Sequence, residues 1–236
     1  ENINSLRYLF LPIVVLISPI ILVATQPDLG TALLIAAGGL TVAWLAGVRV
    51  KFFAFSGLAF LALLPIAISF LKPYQKSRIL TFLNPERDPL GAGYQIIQSK
   101  IAIGSGGLFG KGFLQGSQSY LDYLPEKHTD FIFTLFSEEF GFFGSLFILF
   151  LYAIIVWRIV HIGNLTRSNF GKLYCYSFAT AFFVYVVVNM MMVLGLLPIV
   201  GSPLPIMSYG GSSMMAIMLG LGIVMSCKVY KDTPVN

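Results

Sequence analysis

Between Leu124 and Glu139 the chain reads LPEKHTDFIFTLFSEE, which sets five ionisable side chains and a histidine at the mouth of a segment otherwise apolar enough to span a bilayer. Charge there is costly, and ionisable groups in or at the edge of a membrane are functional candidates because each must be paired, hydrated or applied to a substrate. Asp130 stands foremost among them. A regular helix opening at Asp130 brings Asp130, Thr134, Ser137, Glu138, Gly141 and Ser145 to one face. The resulting polar stripe runs inward, with Glu138 about 12 Å beyond Asp130 at 1.5 Å per residue. Structural alternatives stand beside this reading: Asp130 as a helix N-cap, Glu138 or Glu139 paired to a neighbouring helix, and Gly141, Gly144 and Ser145 as places of close helix packing.

The elements that must position these groups follow from composition. At 57% hydrophobic, 11% charged and mean hydropathy +0.84 over 236 residues, the chain cannot hide its apolar surface in a water-soluble core. The expected fold is all-α, a polytopic transmembrane helix bundle forming a single integral membrane domain over 1–236. Six runs approach the roughly 20 residues that cross about 30 Å of hydrocarbon. They lie near 6–25, 29–47, 52–71, 131–157, 173–197 and 206–227. The first run lacks a small-residue cleavage site and reads as a span, not a signal peptide. Cys175 and Cys227 read as apolar fillers.

Lysine and arginine set the orientation. Arg7, Arg49, Lys51, Arg158, Arg167, Lys172, Lys228 and Lys231 share one side if the spans alternate, and that side is expected to be cytoplasmic. The opposite side carries an external loop over 72–130 with seven basic residues against five acidic ones. So cationic a translocated loop runs against the usual bias, and an anionic ligand outside would explain it. KPYQKSRILTFLNPERDP, with its Pro-bounded turns, suggests chain folded back on the membrane face. In the following segment Tyr94, Ile97, Ile101 and Leu108 form the expected apolar face of a short interfacial helix, with Gln98 and Lys100 on its polar edge.

The glycines at 104, 106, 107, 110 and 112 do not make a phosphate loop. Gly112 follows Lys111 where Ser or Thr is needed, and no βαβ unit surrounds them. A tightly turned loop is the better reading. Neither metal-ligand spacing of Cys and His nor a nucleic-acid surface is present in the sequence.

QPDLGT at 26–31, NPERDPLGAGYQIIQSKIAIGSGG at 84–107, GSQ and LPEKHTDFIF within 116–133, EEFGFFG at 138–144 and LPIMSYGGSS at 204–213 together resemble the SEDS family of cell-wall polymerases. Within it, QSKIAIGSGG and HTDFIF are more similar to the rod-shape-determining branch than to the division branch. The resemblance implies a peptidoglycan glycosyltransferase polymerising lipid II on the outer face of the cytoplasmic (inner) membrane for cell elongation. It implies that Asp130, in the HTD motif, is catalytic, and that this chain corresponds to the C-terminal six of about ten spans. It also implies a class B penicillin-binding protein as partner, alongside other membrane proteins of the elongation complex.

That chemistry needs a base for the acceptor hydroxyl and cations for the departing pyrophosphate. Asp130, poised by partial desolvation and by Lys127 or His128, is the expected base. Arg78, Lys100 and Lys111 are the expected grip on pyrophosphate. A divalent cation such as Mg or Mn would share the task, with Asp28, Glu138 or Glu139 as oxygen ligands. The competing expectation is a flippase or transporter of lipid-linked sugars, for which the Pro/Gly-interrupted segment at 198–211 would be the site. A scaffold that only binds a partner leaves the Asp130 stripe without a role.

Overall fold

The computed structural model describes residues 6–26, 28–70, 72–88, 91–117 and 128–232, and no strand occurs among them. The helices are α1 (Leu6–Thr25), α2 (Leu29–Leu45), α3 (Val50–Phe70), α4 (Pro73–Leu83), α5 (Ala92–Ser105), α6 (Ile132–Leu165), α7 (Asn169–Val193) and α8 (Gly211–Val229), with one 3-10 turn at Pro85–Arg87. The chain divides into two compact units, 1–79 and 80–236.

In the first unit α1 packs on α2. Asp28 starts α2: its Oδ1 accepts the Thr31 N–H at 3.0 Å and its Oδ2 the Thr31 hydroxyl at 2.6 Å. Pro12 and Pro19 sit inside α1, a placement membrane helices tolerate. Phe10, Val15, Leu22, Leu33 and Phe55 are exposed.

The second unit is built on α6, α7 and α8, each long and apolar enough to cross a membrane. Its core joins Phe131 and Phe133 to Phe182, Val186, Met192 and Leu204. Boundaries differ from the sequence reading in three places. α6 runs on to Leu165, α7 lies at 169–193, and residues 206–210 precede α8 as irregular chain. Ser168 explains the second shift, since its hydroxyl caps α7 by accepting the Gly171 N–H.

α6 is not a regular helix. Gly141, at φ 66° and ψ −160°, breaks it. The freed backbone groups are taken up by the glycine loop that follows α5. Phe142 and Phe143 donate to the carbonyls of Gly107 and Leu108 at 2.9 and 3.2 Å, while Lys111 and Gly112 donate to those of Glu138 and Glu139, both at 3.0 Å. Backbones this close leave no room for side chains. A Cβ on Gly110 would stand 2.0 Å from the Glu139 oxygen, and one on Gly141 2.3 Å from the Gly110 nitrogen. The glycine cluster is thus a plug for a broken membrane helix.

α5 forms where the spacing predicts it, but its packing face is a different one. Gly93, Ile96, Ser99 and Ala102 are buried, whereas Ile101 and Leu108 are exposed. The reason is close approach through small residues. Ser99 bonds Thr134 of α6 at 2.7 Å and donates to the Val193 carbonyl of α7, also at 2.7 Å, which turns the larger apolar side chains outward.

Candidate active site

His128, Thr129 and Asp130 form a turn just before α6, whose N-cap is Phe131. Asp130 is half-buried and precedes the cap position that the alternative reading gave it. The turn is held by its backbone. The carbonyl of His128 accepts the Tyr209 N–H at 2.9 Å, that of Thr129 the Ser208 hydroxyl at 2.6 Å, and that of Asp130 the Asn189 amide at 2.8 Å. Two of these donors belong to the connection between α7 and α8, so the turn is fastened to that connection along its length. Asn189 also donates to the Ser202 carbonyl at 2.7 Å, and Tyr152 of α6 donates to the Pro205 carbonyl at 2.6 Å.

The Asp130 carboxylate lies over the same connection. Its Oδ2 is 3.6 Å from where a Cβ on Gly201 would stand, and Gly201 adopts φ +72°. Six residues earlier, Gly195 seats Lys100 of α5: a Cβ there would meet the Lys100 Cε at 2.3 Å and Nζ at 2.7 Å. Gly195 directly follows the C-cap of α7, where carbonyl ends favour a cation. Lys100 is exposed and makes no hydrogen bond or ion pair among the described residues. A carboxylate and an uncommitted ammonium thus address one connection, a pairing suited to taking a proton and meeting an anion.

The other expected site residues are placed differently. Lys111 pairs with Glu138 at 2.7 Å, with Ser117 bonded to both at 2.8 and 3.2 Å. Glu138 is fully buried, and its partner Lys111 lies in the glycine loop and not on the neighbouring helix that the alternative reading supposed. The polar stripe is likewise a packing face: Thr134 and Ser137 are buried, and Ser137 accepts from Ser145 at 2.9 Å. Asp28 caps α2 in the first unit, where Arg78 also falls, exposed on α4. His128 is exposed beside Asp130, and Lys127 lies outside the described residues. Among the described residues no three of His, Cys, Asp and Glu group as a metal site.

Sequence reasoning missed Asn189, Gly201 and Ser208. Asn189 carried a readable signal, as the one amide in the apolar run VYVVVNMMMV. Ser208 lies in the LPIMSYGGSS motif and Gly201 in the Pro/Gly-interrupted segment, but neither carried a sign of its role, which depends on a contact with chain some 70 to 80 residues earlier.

A family model for the FtsW, RodA and SpoVE cell cycle proteins matches residues 1–233. The peptidoglycan glycosyltransferase MrdB of Escherichia coli K12 is 47% identical over 228 residues, covering 96% of this chain and 62% of that protein. Stage V sporulation protein E of Bacillus subtilis is 38% identical over 98% of this chain and 63% of its own length. Among solved structures, a chain of a peptidoglycan synthase complex that coordinates polymerization and crosslinking superposes with TM-score 0.75 at 35% identity, covering 99% of this chain and 65% of that one. The RodA of Thermus thermophilus superposes at 0.64 with 27% identity over 99% of this chain and 60% of that one. The chain therefore spans about three fifths of the length of the relatives it matches. Its all-helical, multi-pass membrane fold is theirs, and it belongs to the FtsW/RodA/SpoVE family, the family its motifs resemble.

Proposed function

We propose that this chain forms the catalytic part of a peptidoglycan glycosyltransferase that polymerises lipid II for cell elongation, with Asp130 as general base. The observation that carries this reading is the carboxylate of a backbone-anchored turn lying over the connection that also seats Lys100. In the reaction Asp130 accepts the proton of the acceptor sugar's 4-hydroxyl as its oxygen attacks the donor's anomeric carbon. The bond from that carbon to the pyrophosphate oxygen breaks, and undecaprenyl pyrophosphate leaves with the electron pair. Lys100 and His128 offset the charge that develops there. Lys111 and Glu138 contribute by holding the glycine loop in the broken helix. A divalent cation, Mg or Mn, would arrive mainly with the pyrophosphate, since magnesium commonly binds through substrate phosphates and few protein ligands.

Similarity to peptidoglycan glycosyltransferases such as MrdB supports the reaction class. The six apolar runs are read as spans of one domain in the cytoplasmic (inner) membrane, with the 72–130 segment and the active site outward, on the lysine and arginine of the short loops. A crosslinking enzyme, of the class B penicillin-binding type, is the partner proposed, with other elongation-complex proteins around it. An apolar cavity of about 230 Å³ lined by Phe178, Phe182, Pro203 and Ile217 lies behind the connection and suits hydrocarbon of a lipid-linked substrate.

The flippase reading rests on the Pro/Gly-interrupted segment at 198–211, because transporters build sites at interrupted helices. Against it, that segment is fastened by protein groups, with Tyr209 and Ser208 bonded to the 128–130 turn, Ser202 to Asn189 and Pro205 to Tyr152. The test supplies lipid II in detergent, where no translocation is needed, to a protein of the relatives' full length carrying this sequence, with divalent metal and the crosslinking partner. Glycan polymer on a gel is the expected outcome. Its absence under those conditions overturns the polymerase reading.

A further inference from the structure

We propose that Asn189 and Ser208 are positioning residues that aim the Asp130 carboxylate, acting through the backbone carbonyls of Thr129 and Asp130; the inference rests on Asp130 being the base. Each side chain ties the turn to the connection. Asn189 uses its two N–H donors on two carbonyls, that of Asp130 and that of Ser202, the residue after Gly201. One amide therefore sets both the chain that carries the carboxylate and the chain beneath it. Ser208 donates to the Thr129 carbonyl and accepts the Leu204 N–H at 2.7 Å.

Three observations argue that these side chains are present for their donors and not for filling space. Asn189 is fully buried in a membrane-spanning helix, where an amide is costly unless bonded. Its Oδ1 has no hydrogen-bond partner among the described residues, a penalty that an apolar residue of similar size would avoid. The connection between these anchors also holds Ile206 at φ +68°. A β-branched residue stays in that region only where its surroundings over-determine it. The anchored turn is thus a rigid mount, and misplacing a catalytic group by about 1 Å can cost on the order of a hundredfold in rate.

The test compares near-isosteric variants of the full-length protein in lipid II polymerisation. Ser208→Thr keeps the hydroxyl and Ser208→Val removes it at nearly the same volume. Thr is expected to hold kcat within about threefold of wild type and Val to lose about tenfold or more, with KM for lipid II within about twofold in both. Asn189→Leu is expected to lose kcat by about 10- to 100-fold, again at unchanged KM. Melting in detergent and elution as a single species confirm that the compared proteins are folded. Equal kcat for the Thr and Val variants overturns the inference, as does a rise in KM in place of the fall in kcat for Asn189→Leu. Asp130→Asn in the same assay separates the two layers. If it turns over like wild type, the base reading fails; if it is dead while Asn189→Leu and Ser208→Val polymerise normally, only the positioning inference fails.

Discussion

Asp130 and Glu138 stand eight residues apart at one end of the same helix, and the protein treats them in opposite ways. Glu138 is fully buried, and its Oε1 is answered by Lys111 at 2.7 Å and by the Ser117 hydroxyl at 3.2 Å. Asp130 is half-buried on a turn whose carbonyls, not its carboxylate, are engaged by Tyr209, Ser208 and Asn189. A buried charge with a matched ion holds chain segments together. A charge on a backbone-anchored turn over a loop suits the base role proposed for Asp130. The difference lies in what surrounds each carboxylate, and neither residue type nor helical spacing carries that information.

The largest effect should come from exchanging the two treatments. Asp130→Asn is expected to cut lipid II polymerisation by about 10²- to 10⁴-fold, the usual contribution of a general base, with detergent melting little changed. Glu138→Gln should do the reverse, losing melting temperature while the folded fraction keeps turnover within about tenfold. A catalytic Glu138 and a dispensable Asp130 would invert the comparison. Next in size is Lys111→Ala, which leaves a buried carboxylate unanswered. About 3 kcal/mol of stability should be lost, the low end for a broken buried pair because Lys111 remains 28% exposed. Combining Lys111→Met with Glu138→Leu should recover most of it, as buried pairs are often replaceable by apolar residues. Denaturation in mixed micelles measures both.

How far the sequence carried this picture follows the range of the interactions. The helices were legible because hydropathy is local, whereas the caps went unread: Asp28, expected as a metal ligand, begins α2, and Ser168 caps α7 at a start four residues before the expected one at 173. Asp130 drew notice because a charge at a membrane edge is conspicuous, and its catalytic role is the one proposed above. The glycine loop was read correctly as a turn, but its purpose was hidden, since the carbonyls it approaches belong to residues 138 and 139. The face of α5 was misjudged for a related reason. Counting large apolar side chains favours Ile101 and Leu108, whereas close packing inside a membrane is made by Gly93, Ser99 and Ala102.

Gly110→Ala tests the closed region at its tightest point. A methyl group 2.0 Å from the Glu139 oxygen, on a residue at φ +81°, must move backbone on both sides. A loss of about 2–3 kcal/mol is expected, and Gly112 and Lys111 amides should exchange faster as the plug loosens. At the open region, Lys100→Gln removes a cation without touching the mount. The expected cost is about 1.5 kcal/mol in use of the pyrophosphate-bearing substrate, roughly tenfold in kcat/KM, with melting unchanged. A stability loss there would mean that Lys100 serves the α7 terminus alone.

The smallest effect should fall on Gly104, which lies in the same glycine cluster but outside the plug. It closes α5 with helical backbone, and a Cβ added to it would meet nothing within 4 Å. Gly104→Ala therefore trades a flexible residue for a better helix former at no steric cost, a gain of up to about 1 kcal/mol that fraying in the last turn reduces. Gly107 supplies the intermediate case: it too has open space around it, but φ is +56°, so Gly107→Ala should lose about 1 kcal/mol from backbone conformation alone. Melting the three alanine variants side by side separates the terms. A ranking of Gly104 above Gly107 above Gly110 attributes the cluster to close backbone contact at the broken helix. Equal losses at all three would mean that the loop needs flexibility for its work, and the plug would then be a movable part.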